Sequence, residues 1–112
     1  MKRVEAYIQP FMLTRVLHEL RDAHAHGLTV MDVRGFGREK DESYPHHSAD
    51  YAVDFTPKVK LELLCQDEQV EAIVEAILKG AHSGRRGDGK VFVTNVERVV
   101  SVRSRETGDA AI

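Results

Sequence analysis

The stretch Arg3-Val4-Glu5-Ala6-Tyr7-Ile8, followed by Pro10 and then by Leu13, Val16, Leu17 and Leu20, decides the fold. Val4, Ala6 and Ile8 share one parity while Glu5 and Tyr7 share the other, and period two is the mark of a strand over residues 2–9. Pro10 turns the chain. The four apolar positions after it recur at helical spacing with charges on the opposite side, and Gly27, just past them, reads as the helix stop.

Working outward, residues 28–34 read as a second strand that ends in Gly35-Phe36-Gly37. Residues 38–50 are polar and follow neither period, so they are expected to be a long mobile loop. Loops of that length in a small domain usually carry function. From Tyr51 to Cys65 the β pattern resumes, with Val53, Phe55, Val59, Leu61 and Leu63 on one parity. Pro57 places the first part of this run at a sheet edge or beyond the sheet body. Asp67 reads as a helix N-cap, and Val70, Ile73, Val74, Ile77 and Leu78 make an apolar stripe closed by Gly80. Residues 82–90 are a glycine-rich turn, 91–103 are β-like in two short pieces, and 104–112 form a polar tail expected to be loose. The order β-α-β-β-α-β plus a final short strand predicts a ferredoxin-like α+β domain. Two helices cover one face of its sheet. Ala6, Ile8 and Val93 are expected to supply apolar groups to both faces, so the open face is expected to be buried in a symmetric homo-oligomer.

The chain has 112 residues, which suits one domain. Apolar residues make up 42% and charged ones 30%, the balance of a globular protein. A net charge of -2 argues against a dedicated nucleic-acid binder. No apolar run approaches the roughly 20 residues of a membrane-spanning helix, and no signal-peptide plan opens the chain. Direct membrane insertion is therefore not expected. Cys65 has no partner for an internal disulfide, which points to a reduced, cytoplasmic setting.

Several segments can carry chemistry. Gly84-Arg85-Arg86-Gly87-Asp88-Gly89-Lys90 combines glycines, which let backbone N–H groups turn toward an anion, with cations for phosphate oxygens. It fits the start of a P-loop, but Val91 stands where Ser or Thr is needed, and a strand follows instead of a helix. An NTPase of that type is not expected; phosphate binding and a plain charged turn both remain open. Gly35-Phe36-Gly37-Arg38 is a second glycine-flanked turn with a cation, and Arg103 is a further phosphate candidate. His24 and His26 are two apart, and His46-His47 are adjacent beside Asp41, Glu42 and Asp50. The last pair could bind a metal weakly or between subunits, against the competing reading of a solvated loop. Ser83, Cys65 and the carboxylates form no recognisable nucleophile–base arrangement, so the chain is not expected to be an enzyme.

Taken together, Pro10-Phe11, Gly27-Leu28-Thr29-Val30, Val33 to Arg38, Asp50 to Phe55, Pro57-Lys58-Val59-Lys60, Gly87 to Val93 and Ala110-Ala111-Ile112 resemble the PII nitrogen-regulatory signal-transduction proteins over nearly the whole chain. The resemblance implies a homotrimer with ATP or ADP in each inter-subunit cleft. It also implies a partner, a membrane transporter or an enzyme of nitrogen metabolism, engaged through the loop at about 38–50, the family's T-loop. By the same resemblance Gly35, Phe36, Gly37 and Arg38 would line the nucleotide, with Thr29 and Leu64 near adenine and Glu62 near the ribose. Gly87, Asp88, Gly89 and Lys90 would wrap the phosphates, and Arg103, in a C-terminal loop of about 103–112, would reach in from the neighbouring subunit. Lys58 matches the lysine that pairs with 2-oxoglutarate, and Tyr51 a tyrosine that some members have uridylylated.

The chain also departs from the family pattern. Glu39 stands where glutamine is usual, Asp41 where glycine is usual and Ser101 where arginine is usual. Glu39 can still bind Mg²⁺, but its charge repels a dianionic ligand. At about 4 Å that repulsion is roughly 4 kcal/mol at an effective dielectric of 20, or about three decades in affinity. These departures argue against the usual 2-oxoglutarate sensing and leave room for a preference for ADP or AMP over ATP. The body of the loop, Asp41 to Ser48, is also unlike the usual one, which implies a different target. Divergent branches of the family are associated with metal efflux or bicarbonate handling, so a metal-linked role through His46-His47 is the alternative reading.

Overall fold

The strand expected from the alternating stretch is β1 (Lys2–Ile8), and it lies inside a four-stranded sheet in the computed structural model, which describes residues 1–37 and 55–112. The expectations that rest on residues 38–54, namely the long loop, Arg38, Glu39, His46, His47 and Tyr51, fall outside the described residues. After β1 come a 3₁₀ turn (Pro10–Met12), α1 (Leu13–Asp22), β2 (Thr29–Gly35), β3 (Thr56–Cys65), a second 3₁₀ turn (Asp67–Gln69), α2 (Val70–Ala81), β4 (Gly89–Asn95) and a last 3₁₀ turn (Gly108–Ala111). The strand order is β2-β3-β1-β4 and every pairing is antiparallel. That is the ferredoxin-like α+β arrangement.

Register assigns the faces. Val4 stands opposite Leu63 and Val93, Ala6 opposite Leu61 and Val91, and Ile8 opposite Val59 and Gly89. Cross-strand partners share a side, so these residues form one face, and it meets Val16 and Leu20 of α1 and Val70, Ile73, Ala76 and Ile77 of α2 in a single core. Burying a Leu or Ile here stabilises the fold by about 1.5–3 kcal/mol each. Ala6, Ile8 and Val93 therefore all lie on the helix side; the expectation that they divide between two faces is wrong. The open face carries Arg3, Glu5 and Tyr7, and beside them Lys60, Glu62, Met31 and Phe92. Glu5 is its electrostatic hub, 2.7 Å from Arg3 Nε and 3.4 Å from Lys60 Nζ. Tyr7 meets Phe92 edge to face at 6.0 Å.

Pro57 is tolerated in an interior strand because β1 pairs with β3 only from Val59 onward, so its missing N–H opposes nothing on that side. Three local expectations are corrected. The helix stop is His24, not Gly27: His24 sits at φ 59, its N–H reaches Arg21 O, and Ala25 N–H reaches Leu20 O, a Schellman closure. A histidine there carries left-handed strain, so His24→Gly is expected to raise stability in urea melts by about 0.5 kcal/mol. Asp67 is not the N-cap either. Gln66 and Gln69 form a reciprocal capping box, while Asp67 lies 2.8 Å from the α-amino group of Met1. Nor does Gly80 close α2, which runs on through Ala81. A Cβ at Gly80 would stand 2.6 Å from Val16 Cα, so glycine is what lets the two helices cross so closely.

The tail also differs from its expectation. In place of a final strand there is one bridge, Val100 to Thr107, with Ser101 N–H bonded to Glu106 O and Gly108 N–H to Val99 O. Residues 99–108 thus make a closed turn and not a loose end. Among the described residues no helix is long and apolar enough to cross a membrane.

Candidate functional site

The sheet has two ends, and the candidate residues divide between them. At one end Gly35 is opposite Thr56 and Gly89 is opposite Ile8. Thr56, buried, donates its hydroxyl to Gly35 O at 3.1 Å and fixes the start of the Gly35-Phe36-Gly37 turn. Phe36 and Phe55 pack edge to face at 5.6 Å, and both are exposed. Gln9 Nε2 and Lys58 Nζ both donate to Gly87 O, at 2.7 and 2.8 Å. These two side chains tie the glycine-rich turn to β1 and β3. Gly84, Gly87 and Gly89 all have positive φ, so the turn takes a path that L-residues avoid. Lys90 faces Tyr7, which in turn faces Lys60, so cations line the open face next to this turn.

Asp88 organises the turn from within. Its carboxylate accepts Ser83 N–H at 2.8 Å, Gly84 N–H at 3.0 Å and the Ser83 hydroxyl. Burial alone would push this carboxyl up, but the hydrogen bonds from Ser83 and Gly84, with His82 nearby, outweigh it and hold the acid below the usual carboxylate range. A depressed acid contributes order above its unfolded pKa and loses it as pH falls through the folded value. The turn is therefore secured at neutral and mildly acidic pH.

At the other end of the strands Thr29 is opposite Glu62, and Arg3 is opposite Leu64. A groove of about 640 Å³ opens here, lined by Thr29, Glu62 and Leu64 together with Arg3, His26 and Arg98, and walled by Ala111 and Ile112. Arg3 Nη1 lies 3.9 Å from Glu62 Oε1, so the acid that could meet hydroxyl or amino hydrogens already faces a cation. The turn bearing Arg103 springs from Val99, which lines this same groove, and Arg103 is exposed. Within one chain Thr29, Glu62 and Leu64 thus lie at the groove, while Gly35, Phe36, Gly37, Lys58, Gly87, Asp88 and Gly89 lie toward the glycine end; Lys90, opposite Tyr7, stands between them, two residues along from the row of Glu62. Six residue steps along β2 separate Thr29 from Gly35, about 20 Å at strand rise.

Sequence reasoning missed Arg3, His26 and Arg98 in the groove, and Gln9, Thr56 and Ser83 as supports of the glycine end. Gln9 left a signal, since it is a polar residue at a fully buried position just before Pro10. His24 and His26 join no metal site: among the described residues no three His, Cys, Asp or Glu side chains gather to hold an ion. Cys65 is buried, and that burial pushes its thiol up, away from the reactive thiolate.

This arrangement can be set beside known proteins. The family model described as "Nitrogen regulatory protein P-II" matches residues 1–106. Proteins named nitrogen regulatory protein P-II from Mesorhizobium japonicum, Rhizobium meliloti and Azospirillum brasilense are each 48% identical over all 112 residues, covering the whole of both chains. An identity that high, over a full-length match, shows the family. The chain belongs to the nitrogen regulatory protein P-II family of signal-transduction regulators.

Proposed function

We propose that the protein is a non-enzymatic, homotrimeric regulator that binds ATP or ADP between neighbouring copies and conveys the occupied state to a partner through residues 38–50. The observation that carries this reading is the division of the candidate residues between opposite ends of the strands. A nucleoside diphosphate is shorter than the roughly 20 Å between Thr29 and Gly35, so one chain cannot wrap it with both of those positions. A neighbour can. The groove supplies apolar walls, a carboxylate and a threonine for a purine nucleoside; the glycine end supplies cations and turned backbone for phosphates. The open sheet face, with Phe92 46% exposed, is the surface available to bring copies together.

The partner is a membrane transporter or an enzyme of nitrogen metabolism, reached from the cytoplasm. Glu39 and Asp41 lower the affinity for 2-oxoglutarate, and Ser101 removes a cation from the phosphate contacts, which favours ADP or AMP over ATP. Calorimetric titration with ADP is expected to give micromolar binding at one site per subunit, and Lys90→Ala is expected to weaken it at least tenfold, the scale of one charge-assisted phosphate contact. No heat with any adenine nucleotide would overturn the reading. With Mg-ATP present, 2-oxoglutarate is expected to bind the parent poorly and Glu39→Gln more tightly.

A further inference from the structure

His82 ends α2, and its ring lies across the first residues of the glycine-rich turn. Its Nδ1 is 3.9 Å from Asp88 Oδ2, the oxygen that also accepts Ser83 N–H and Gly84 N–H. Its Nε2 is 3.9 Å from the point where a Cβ on Gly84 would stand. The ring therefore bridges the carboxylate that organises the turn and the glycine at which the turn begins. Ser83 completes the link, because its hydroxyl donates to Asp88 Oδ1 and accepts Arg85 N–H at 3.2 Å. Lys79, one turn earlier in α2, pairs with Glu19 at 3.6 Å, and Arg85 and Arg86 follow within the turn itself.

We infer that His82, Ser83 and Asp88 form a pH-responsive clamp that sets the glycine-rich turn for phosphate, with Asp88 as a positioning residue whose carboxylate faces the turn and not the ligand. The chemistry is direct. A carboxylate with its acceptor sites filled by Ser83 and Gly84 has little left to offer a ligand, and its negative charge would repel a phosphate. It acts instead by fixing the backbone whose N–H groups face the anion. A protonated imidazole gains a charged contact with Asp88 and adds positive charge beside a site for anions. It also stands at the C-terminal end of α2, where the helix dipole favours a cation. The clamp should therefore tighten, and phosphate affinity rise, as pH falls from about 8 to about 6. Because the pair is largely exposed, the gain is about threefold and no more.

This inference rests on the nucleotide reading above, and its experiment keeps the two apart. The first measurement uses no nucleotide: the Ser83 and Gly84 amide resonances are followed by NMR through the histidine range. In the parent they are expected to shift in one titration step. In His82→Gln that step should vanish. The second measurement is ADP affinity at both pH values. The parent is expected to gain about threefold more than His82→Gln on acidification. Asp88→Asn should weaken ADP about tenfold and remove the pH response, since an amide cannot replace a carboxylate accepting three bonds. Ser83→Ala should lose part of the affinity and Ser83→Thr should restore it. If the amide step persists in His82→Gln, or if parent and variant gain equally, the clamp is overturned while nucleotide binding stands. If the parent binds no adenine nucleotide at all, the reading of the site falls and the inference with it.

Discussion

Replacing Gly89 with alanine is expected to cost about 3 kcal/mol or more, a large share of a domain's usual stability. Gly89 opens β4 opposite Ile8 and holds φ at 110, a value that L-residues rarely adopt. A Cβ built there would stand 1.6 Å from Tyr7 O and 2.8 Å from Tyr7 C. Neither atom can move aside, because both belong to the backbone of an interior strand whose neighbours Ala6 and Ile8 are buried. The chain would have to abandon the pairing of Gly89 with Ile8, and with it the turn fixed by Gln9 and Lys58. Gly84 provides the control. It has a similar φ of 88, but the nearest atom to its would-be Cβ is His82 Nε2 at 3.9 Å. Gly84→Ala should therefore cost only the conformational strain, about 1 kcal/mol. Urea unfolding of both variants, at one protein concentration so that association does not enter the comparison, measures the difference. If the two lose the same stability, backbone overlap is not what reserves Gly89.

These residues also show how far sequence patterns reach. The β1 alternation and the α2 stripe were legible because burial writes a period directly onto Val4, Ala6, Ile8, Ile73 and Ile77. The end of α1 was not, since a rule that favours glycine points to Gly27, whereas His24 takes the left-handed position. Gly80 was misread for the same reason. Its use is the close approach to Val16, a contact between two helices that no local pattern encodes. The tail looked loose because it is polar, yet backbone bonds such as Ser101 to Glu106 hold it, and backbone bonding leaves no mark on composition. The candidate site was legible as a set of residues and not as a geometry. Thr29 and Gly35 are six apart in sequence and look like one site; only their pairing with Glu62 and Thr56 places them at opposite ends of β2.

That separation leads to the prediction with the sharpest outcome. Suppose Lys90→Ala disables the glycine end of a copy and Glu62→Ala disables the groove of a copy. Each variant alone is expected to bind ADP at least tenfold more weakly than the parent, the scale of one lost charged contact. When the two are co-expressed under different tags and the mixed assemblies isolated, a new kind of cleft arises. The intact glycine end of a Glu62→Ala chain can face the intact groove of a Lys90→Ala chain. In a closed head-to-tail trimer that contains both chains, one cleft in three is of this kind, and these should bind ADP with the parent's affinity. A site completed within one chain gives the opposite result, because every chain then carries one defect and mixing repairs nothing. Recovery of about a third of the sites, read as calorimetric stoichiometry at an unchanged Kd, requires that the purine end and the phosphate end come from different copies. Mixed assemblies that form and yet recover no tight sites would exclude it, whatever the affinity of the parent.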